Sequence, residues 1–164
     1  MKKLLLGLTA LVVVAGVGLW QFQGSAKAAP QVTYTSLDGR QFTTNDLRGK
    51  VYLVKFWATS CVTCVQQMPD TVQAYNDYSP QGYEVIAVAM DYDPPDYVRN
   101  FTQSRQLPFT VAMDATGEIA KAFGDVKLTP TAFLVDKQGR IIKRYLGNYD
   151  KSAFRQTVER ALAG

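Results

Sequence analysis

Cys61 and Cys64 are the only thiols in the 164-residue chain, and they stand at C-x-x-C spacing. Such a pair can carry out thiol-disulfide exchange: one thiolate attacks a partner's disulfide, and the second thiol resolves the mixed disulfide while closing an intramolecular bond. The spacing alone also fits a structural disulfide or an inert pair, and two soft sulfurs suit Cu(I), which leaves a copper-chaperone reading open. The chain contains no histidine. That removes Cys-His nucleophile pairs, imidazole acid-base chemistry and Cys/His zinc sites, and two sulfurs cannot by themselves close a four-ligand zinc site.

Exchange needs a thiolate, and a helix N-terminus favours one because its unpaired N–H groups and macrodipole stabilise the anion. The residues around the pair supply such an element. Residues 51–58 (VYLVKFWA) are β-branched, aromatic and nearly continuously apolar, as expected of a strand covered on both faces. Val65, Met68, Val72 and Tyr75 then recur at helical spacing, with Ser60 available as a cap and Pro69 expected to kink the helix. This places Cys61 at the exposed lip of a strand-to-helix turn as the attacking sulfur. Cys64 lies one turn further in, as the resolving sulfur.

The rest of the chain supplies the surrounding layers. Val32 to Tyr34 and Gln41 to Thr43 flank the turn Ser36 to Arg40, so the domain opens with a hairpin, followed by the connector Asn45 to Lys50. Tyr83 to Met90 reads as a second buried strand, Asp96 to Arg105 as a helix with Val98 and Phe101 inward, and Phe109 to Met113 as a third strand. A short helix over Glu118 to Phe123 ends at Gly124. Strands Thr131 to Val135 and Ile141 to Leu146 follow, and Phe154, Val158, Ala161 and Leu162 mark the inward face of a closing helix. The alternation predicts an α/β sandwich with a mixed sheet. The methionines Met68, Met90 and Met113, with Tyr75, Tyr78, Tyr83, Tyr92 and Tyr97, read as core and rim packing rather than a soft-metal surface.

The first 28 residues differ in kind: Lys2 and Lys3 lead into an uncharged run over residues 4–20, then a small, polar stretch to Ala28. That pattern is an export signal, so the expected organisation is a leader over 1–28 and one folded domain over 29–164. The run falls between a signal core and a spanning helix in length. Two outcomes stay open: cleavage at Ala26-Lys27-Ala28, giving a soluble protein, or retention as an inner-membrane anchor through residues 4–20, with the domain facing outward. Both put the domain outside the cytoplasm, in a bacterial periplasm, where disulfides persist. Three of the 18 basic residues and no acidic one lie in this leader, leaving 15 basic against 14 acidic residues. A nearly neutral domain offers no electrostatic footprint for nucleic acid.

The stretch Phe56-Trp57-Ala58-Thr59-Ser60-Cys61-Val62-Thr63-Cys64, with Pro69 following, resembles the active-site signature of the thioredoxin superfamily. Together with Leu37-Asp38-Gly39, Leu47-Arg48-Gly49-Lys50, Thr129-Pro130-Thr131 and Asp136-Lys137-Gln138-Gly139-Arg140, it is similar to the TlpA/ResA-like branch over about residues 31–162. The resemblance implies a three-layer sandwich: a mixed central sheet with helices on both faces, an N-terminal β-hairpin and a central strand-helix insertion. It implies a cis peptide before Pro130, against the alternative of a trans proline opening a strand, and it places Thr129, Pro130 and Trp57 in client binding, with the Thr129 backbone free to pair with an extended segment.

The implied activity is protein-disulfide oxidoreductase, reducing disulfide-bearing extracytoplasmic clients such as those of cytochrome c or copper-site assembly. It needs an electron-donating membrane thiol reductase and no bound cofactor or metal. A peroxiredoxin shares the fold, but its proline and threonine are missing from the positions before either cysteine, where Val54 and Ala58, or Trp57 and Cys61, stand instead.

Two residues depart from the pattern: Lys55 stands where thioredoxins carry Asp and TlpA-like proteins often Asn, and Gln67 where reductases of this branch often have Glu. Both are candidates for tuning the resolving thiol. Gln67 cannot act as a carboxylate base. Lys55 either lies beneath Cys64 and sets its reactivity, or packs its stem in the sheet and extends its amine to water.

Overall fold

The computed structural model describes residues 27–164. The expected export segment and its apolar run over 4–20 lie outside the described residues. No helix among those described is long and apolar enough to cross a membrane. Strands β1 (Thr33–Thr35), β2 (Gln41–Thr43), β3 (Val51–Trp57), β4 (Tyr83–Ala89), β5 (Thr110–Met113), β6 (Thr131–Val135) and β7 (Ile141–Leu146) alternate with four α-helices. The helices are α1 (Val62–Tyr78), α2 (Pro95–Ser104), α3 (Glu118–Ala122) and α4 (Lys151–Ala163).

β1 and β2 form the separate opening hairpin, and the other five strands form one sheet in the order β5-β4-β3-β6-β7. β3 pairs in parallel with β4 and antiparallel with β6, so it is the central strand. All seven of its residues are buried, which is why its sequence is a run rather than an alternation. The expected insertion is α2 with β5: it stands between β4 and α3 in the chain and extends the sheet along the free edge of β4.

The pleat divides β3 between two cores. Val51, Leu53 and Trp57 share one cluster with Cys64 and Met68 of α1, Val98 of α2 and Phe154 and Val158 of α4. Tyr52, Val54 and Phe56 share the other with Tyr34 of the hairpin and Ile119, Ala120 and Phe123 of α3. By the same alternation Lys55 belongs to the face covered by α1 and α4. Burial of each large apolar side chain on these faces stabilises the fold by about 1.5–3 kcal/mol, which makes β3 the costliest strand to disturb.

Expected and observed boundaries agree to within a residue or two. The connector after the hairpin is a 3-10 turn over Thr44–Leu47, closed by reciprocal bonds between Thr43 and Asp46. Lys27 to Ala29 already pair with the chain around Gly139 to Ile141, through Ala29 N–H to the Gly139 carbonyl at 2.8 Å and Ile141 N–H to the Lys27 carbonyl at 2.8 Å.

Two local expectations are corrected. The N-cap of α1 is Cys61 and not Ser60: the Cys61 sulfur accepts from Cys64 N–H at 3.2 Å. The buried face of α1 runs through Cys64, Gln67, Met68, Thr71, Ala74 and Tyr78, while Val65, Val72 and Tyr75 are only partly buried. The helix is therefore rotated relative to its apolar periodicity, because a polar group on the sheet below, the Lys55 amine, needs polar partners. α1 continues as a helix through Pro69.

Candidate active site

The chain leaves β3 at Trp57 and turns into α1 over the four residues Ala58 to Cys61, and that turn is held from both sides. Met90 N–H bonds the Trp57 carbonyl at 3.0 Å, and Cys61 N–H bonds the Ala58 carbonyl at 3.1 Å. Asp93, only 2% exposed, accepts from both the N–H and the hydroxyl of Thr59, each at 2.6 Å. The loop after β4 thus clamps the residues immediately before the dithiol.

Cys61 and Cys64 are joined as a disulfide. The two sulfurs are unequally placed: Cys61 is half-buried at the helix lip, while Cys64 has no exposed surface. The first turn of α1 carries no acidic residue. Nothing within that turn opposes a negative charge on the Cys61 sulfur, and the helix N-terminus favours it. Val62, beside it, is 69% exposed.

The loop before β6 meets the C-terminal end of β3, where Phe56 pairs with Thr131, and its Thr129-Pro130 peptide is cis. Thr129 is half-exposed, and among the described residues neither its N–H nor its carbonyl has a backbone partner. The loop is held at both ends by Thr131 Oγ1 donating to the Leu128 carbonyl at 2.6 Å and Gly147 N–H donating to the Pro130 carbonyl at 2.8 Å. Tyr92 Oη lies 3.3 Å from Thr129 Oγ1, and Leu128 and Tyr92 are both exposed. Trp57, expected among the client-binding residues, has no exposed surface and packs on Phe101 at 5.2 Å between ring centroids. Its place is beneath the dithiol, because β3 is central and covered on both faces.

Lys55 is fully buried, which overturns the reading in which its amine reaches water. Nζ donates to Gln67 Oε1 at 3.1 Å and to Thr71 Oγ1 at 3.0 Å, three and seven residues beyond Cys64 on the same helical face. Burial pushes the Lys55 amine down to about 8, opposed by the Asp70 carboxylate. Asp70 is itself held by Lys151 at 2.7 Å. Gln67 Nε2 donates in turn to the Gly147 carbonyl at 3.0 Å and to Asn148 Oδ1 at 3.1 Å.

Lys55 and Gln67 meet on the helix that carries Cys64, Trp57 packs in the same core as Cys64, and Thr129 and Pro130 lie on the loop before β6; Asp93, Thr71 and Gly147 make contacts here that the sequence does not mark out as a group. A signal for Thr71 exists in its seven-residue spacing from Cys64. Asp93 sits in Asp91-Tyr92-Asp93-Pro94-Pro95, where turn chemistry alone accounts for an aspartate, so nothing local marks it. A pair of sulfurs so arranged, one reachable at a helix N-terminus and one enclosed behind it, can exchange with a disulfide that reaches Cys61.

Comparison with known proteins agrees with this geometry. The sequence model of the Redoxin family matches residues 24–162. The thiol-disulfide oxidoreductase ResA of Bacillus cereus is 35% identical over 170 aligned positions, covering 97% of this chain and 96% of the relative. ResA of Bacillus subtilis is 30% identical over 124 positions, covering 76% and 68%. Among solved structures, a thioredoxin-family thiol:disulfide interchange protein of Chlorobium tepidum superposes with a TM-score of 0.77 at 29% identity, covering 85% of this chain and 99% of that one. A Neisseria meningitidis protein solved in solution superposes with a TM-score of 0.79 at 37% identity, covering 85% and 93%.

Proposed function

We propose, for a chain that belongs to the Redoxin family and is a protein-disulfide oxidoreductase similar to ResA, that it works outside the cytoplasm and reduces disulfides in client proteins. The observation that carries this reading is the asymmetry of the two sulfurs, Cys61 reachable at the N-terminus of α1 and Cys64 enclosed behind it.

In the reduced protein the Cys61 thiolate attacks one sulfur of a client disulfide, displacing the other as thiolate and forming a mixed disulfide. Cys64, deprotonated, attacks Cys61, breaks the mixed bond and releases the client's second sulfur; two protons from solvent complete the client dithiol. The client gains two electrons, and the protein is left as the Cys61–Cys64 disulfide. A membrane thiol reductase supplies the dithiol that restores it. Thr129 pairs with the extended segment that carries the client cystine, as an added strand would. Clients are thiols that must stay reduced for assembly of c-type cytochromes or copper sites. Lys55 and Gln67 tune the second step. The N-terminal segment exports the domain and either tethers it or is removed.

The direction of the reaction is tested by equilibrating the Cys61/Cys64 couple against glutathione and thioredoxin buffers. A reductant has a potential near or below about −250 mV, whereas a value near about −120 mV makes it an oxidant.

A further inference from the structure

Gln67 joins three parts of the molecule through one side chain. Its Oε1 accepts from the buried amine of Lys55 on β3, and its Nε2 donates to the Gly147 carbonyl and Asn148 Oδ1 beyond β7. Gly147 in turn donates its own N–H to the Pro130 carbonyl at 2.8 Å. Its φ of 70° turns the flanking peptide units toward α1 on one side and the cis-proline loop on the other, a backbone conformation that favours glycine. Hydrogen bonds therefore link Lys55 on β3 to Gln67 on the helix that carries Cys64, and Gln67 to Gly147, whose backbone continues the link to Pro130 on the loop before β6.

The chemistry of the two ends dictates an amide. Lys55 takes an acceptor and the Gly147 carbonyl takes a donor, and a carboxamide offers both on one planar group of this length without having to hold a titratable proton. A glutamate would meet Lys55 as an ion pair and leave the Gly147 carbonyl without its donor. A methionine of similar volume would leave Lys55 with Thr71 Oγ1 as its one side-chain acceptor here and the Gly147 carbonyl without this donor.

Resting on the exchange reading above, we infer that Gln67 is a positioning residue that couples the dithiol helix to the client-binding loop through Gly147, and that an amide at this position is what makes the coupling possible. Pro130 and Thr129 then hold the place an extended client segment requires while Lys55 is kept beneath the same helix.

The charged and titratable groups turned toward Lys55 are few. Asp70 of α1 acts on it from a carboxylate already paired with Lys151 of α4. Tyr149, between β7 and α4, packs against the same core, and its hydroxyl is pushed up to about 12 by burial. Replacing the Gln67 amide by a carboxylate adds the one anion in direct contact with the amine, so its effect on Lys55 is separable from theirs.

The test uses the pre-reduced full chain and two variants, Gln67→Glu and Gln67→Met, with a synthetic cystine-bridged peptide in excess. Single-turnover oxidation of the dithiol gives a half-saturating peptide concentration and a limiting rate. Both variants are expected to raise the half-saturating concentration about tenfold, the order of one lost hydrogen bond that strands a buried partner, and to lower the limiting rate by less. In Gln67→Glu the Lys55 amine, followed by NMR of its side-chain nuclei, is expected to titrate about one unit or more higher than in the parent. A merely structural role would reduce the active fraction without moving the half-saturating concentration. Should Gln67→Met fail to fold, Gln67→Glu carries the test alone. An active parent with both variants within about twofold in half-saturation, inside the spread of a hydrogen bond worth nothing, overturns the coupling. A parent that does not oxidise with the peptide overturns the exchange reading, and the coupling with it.

Discussion

The Lys55 amine lies 3.1 Å from Gln67 Oε1, so the two positions at which the chain departs from the pattern it resembles are in direct contact. A lysine without a carboxylate partner is costly in a strand buried on both faces. Its second acceptor, Thr71, and the depression of its amine to about 8 are consequences of that placement. Lys55 stays buried because α1 is turned to give it two oxygens.

A buried amine with a lowered value makes stability depend on pH in a definite direction. Below about pH 8 both folded and unfolded chains carry the charge, and the fold bears the full cost of burying it. As pH rises from about 8 to the ordinary 10.5, the folded state is already neutral while the unfolded one is still charged, and the cost is relieved. Lys55→Met removes the charge at every pH. In urea unfolding of the oxidised proteins, the stability of the variant relative to the parent should fall by about 3 kcal/mol between pH 7 and pH 10.5. A constant difference across that window would mean that the amine is not held down.

The same substitution separates the two chemical steps. Lys55→Met should change the rate or pH dependence of mixed-disulfide resolution by Cys64, while the first attack by Cys61 stays close to that of the parent. Rapid quench of each step decides it. If neither rate moves by more than about twofold, a shift of only about 0.4 kcal/mol, Lys55 is structural and has no part in resolution.

Asp93 should matter to the loop and not to the core. Asp93→Ala strands the Thr59 N–H and hydroxyl, and loss of the clamp should destabilise the fold by about 1–3 kcal/mol. Hydrogen exchange at Thr59 and its neighbours should rise more than exchange in β3. Unchanged protection at Thr59 would show that the clamp does not hold the turn.

The thiols should react in order of exposure. In the reduced protein Cys61 should titrate below the free-cysteine value of about 8.5 and be alkylated first at mildly acidic pH. Preferential labelling of Cys64 would exchange the two roles.

Legibility of the fold and the site in the sequence depended on range. β3 and the position of Cys61 at a helix N-terminus were legible because a continuous apolar run and a following helical period are local signals. The rotation of α1 was not, since Val65, Met68, Val72 and Tyr75 describe the apolar stripe correctly but say nothing of a cation on the sheet beneath. The clamp from Asp93 to Thr59 spans 34 residues, and the bond from Gln67 to Gly147 spans 80. Both exist only once the sheet has brought their loops together. The resemblance puts Trp57 in client binding, whereas the central position of β3 encloses it.

The division of labour in which Cys61 attacks and Cys64 resolves underlies every step of the exchange. It is tested most directly by trapping mixed disulfides with single-cysteine variants outside the cytoplasm and resolving the adducts on non-reducing gels. Cys64→Ser should accumulate covalent adducts through Cys61 because nothing remains to release the client, and Cys61→Ser should accumulate almost none. Equal trapping by the two variants, or adducts formed mainly through Cys64, would contradict the account.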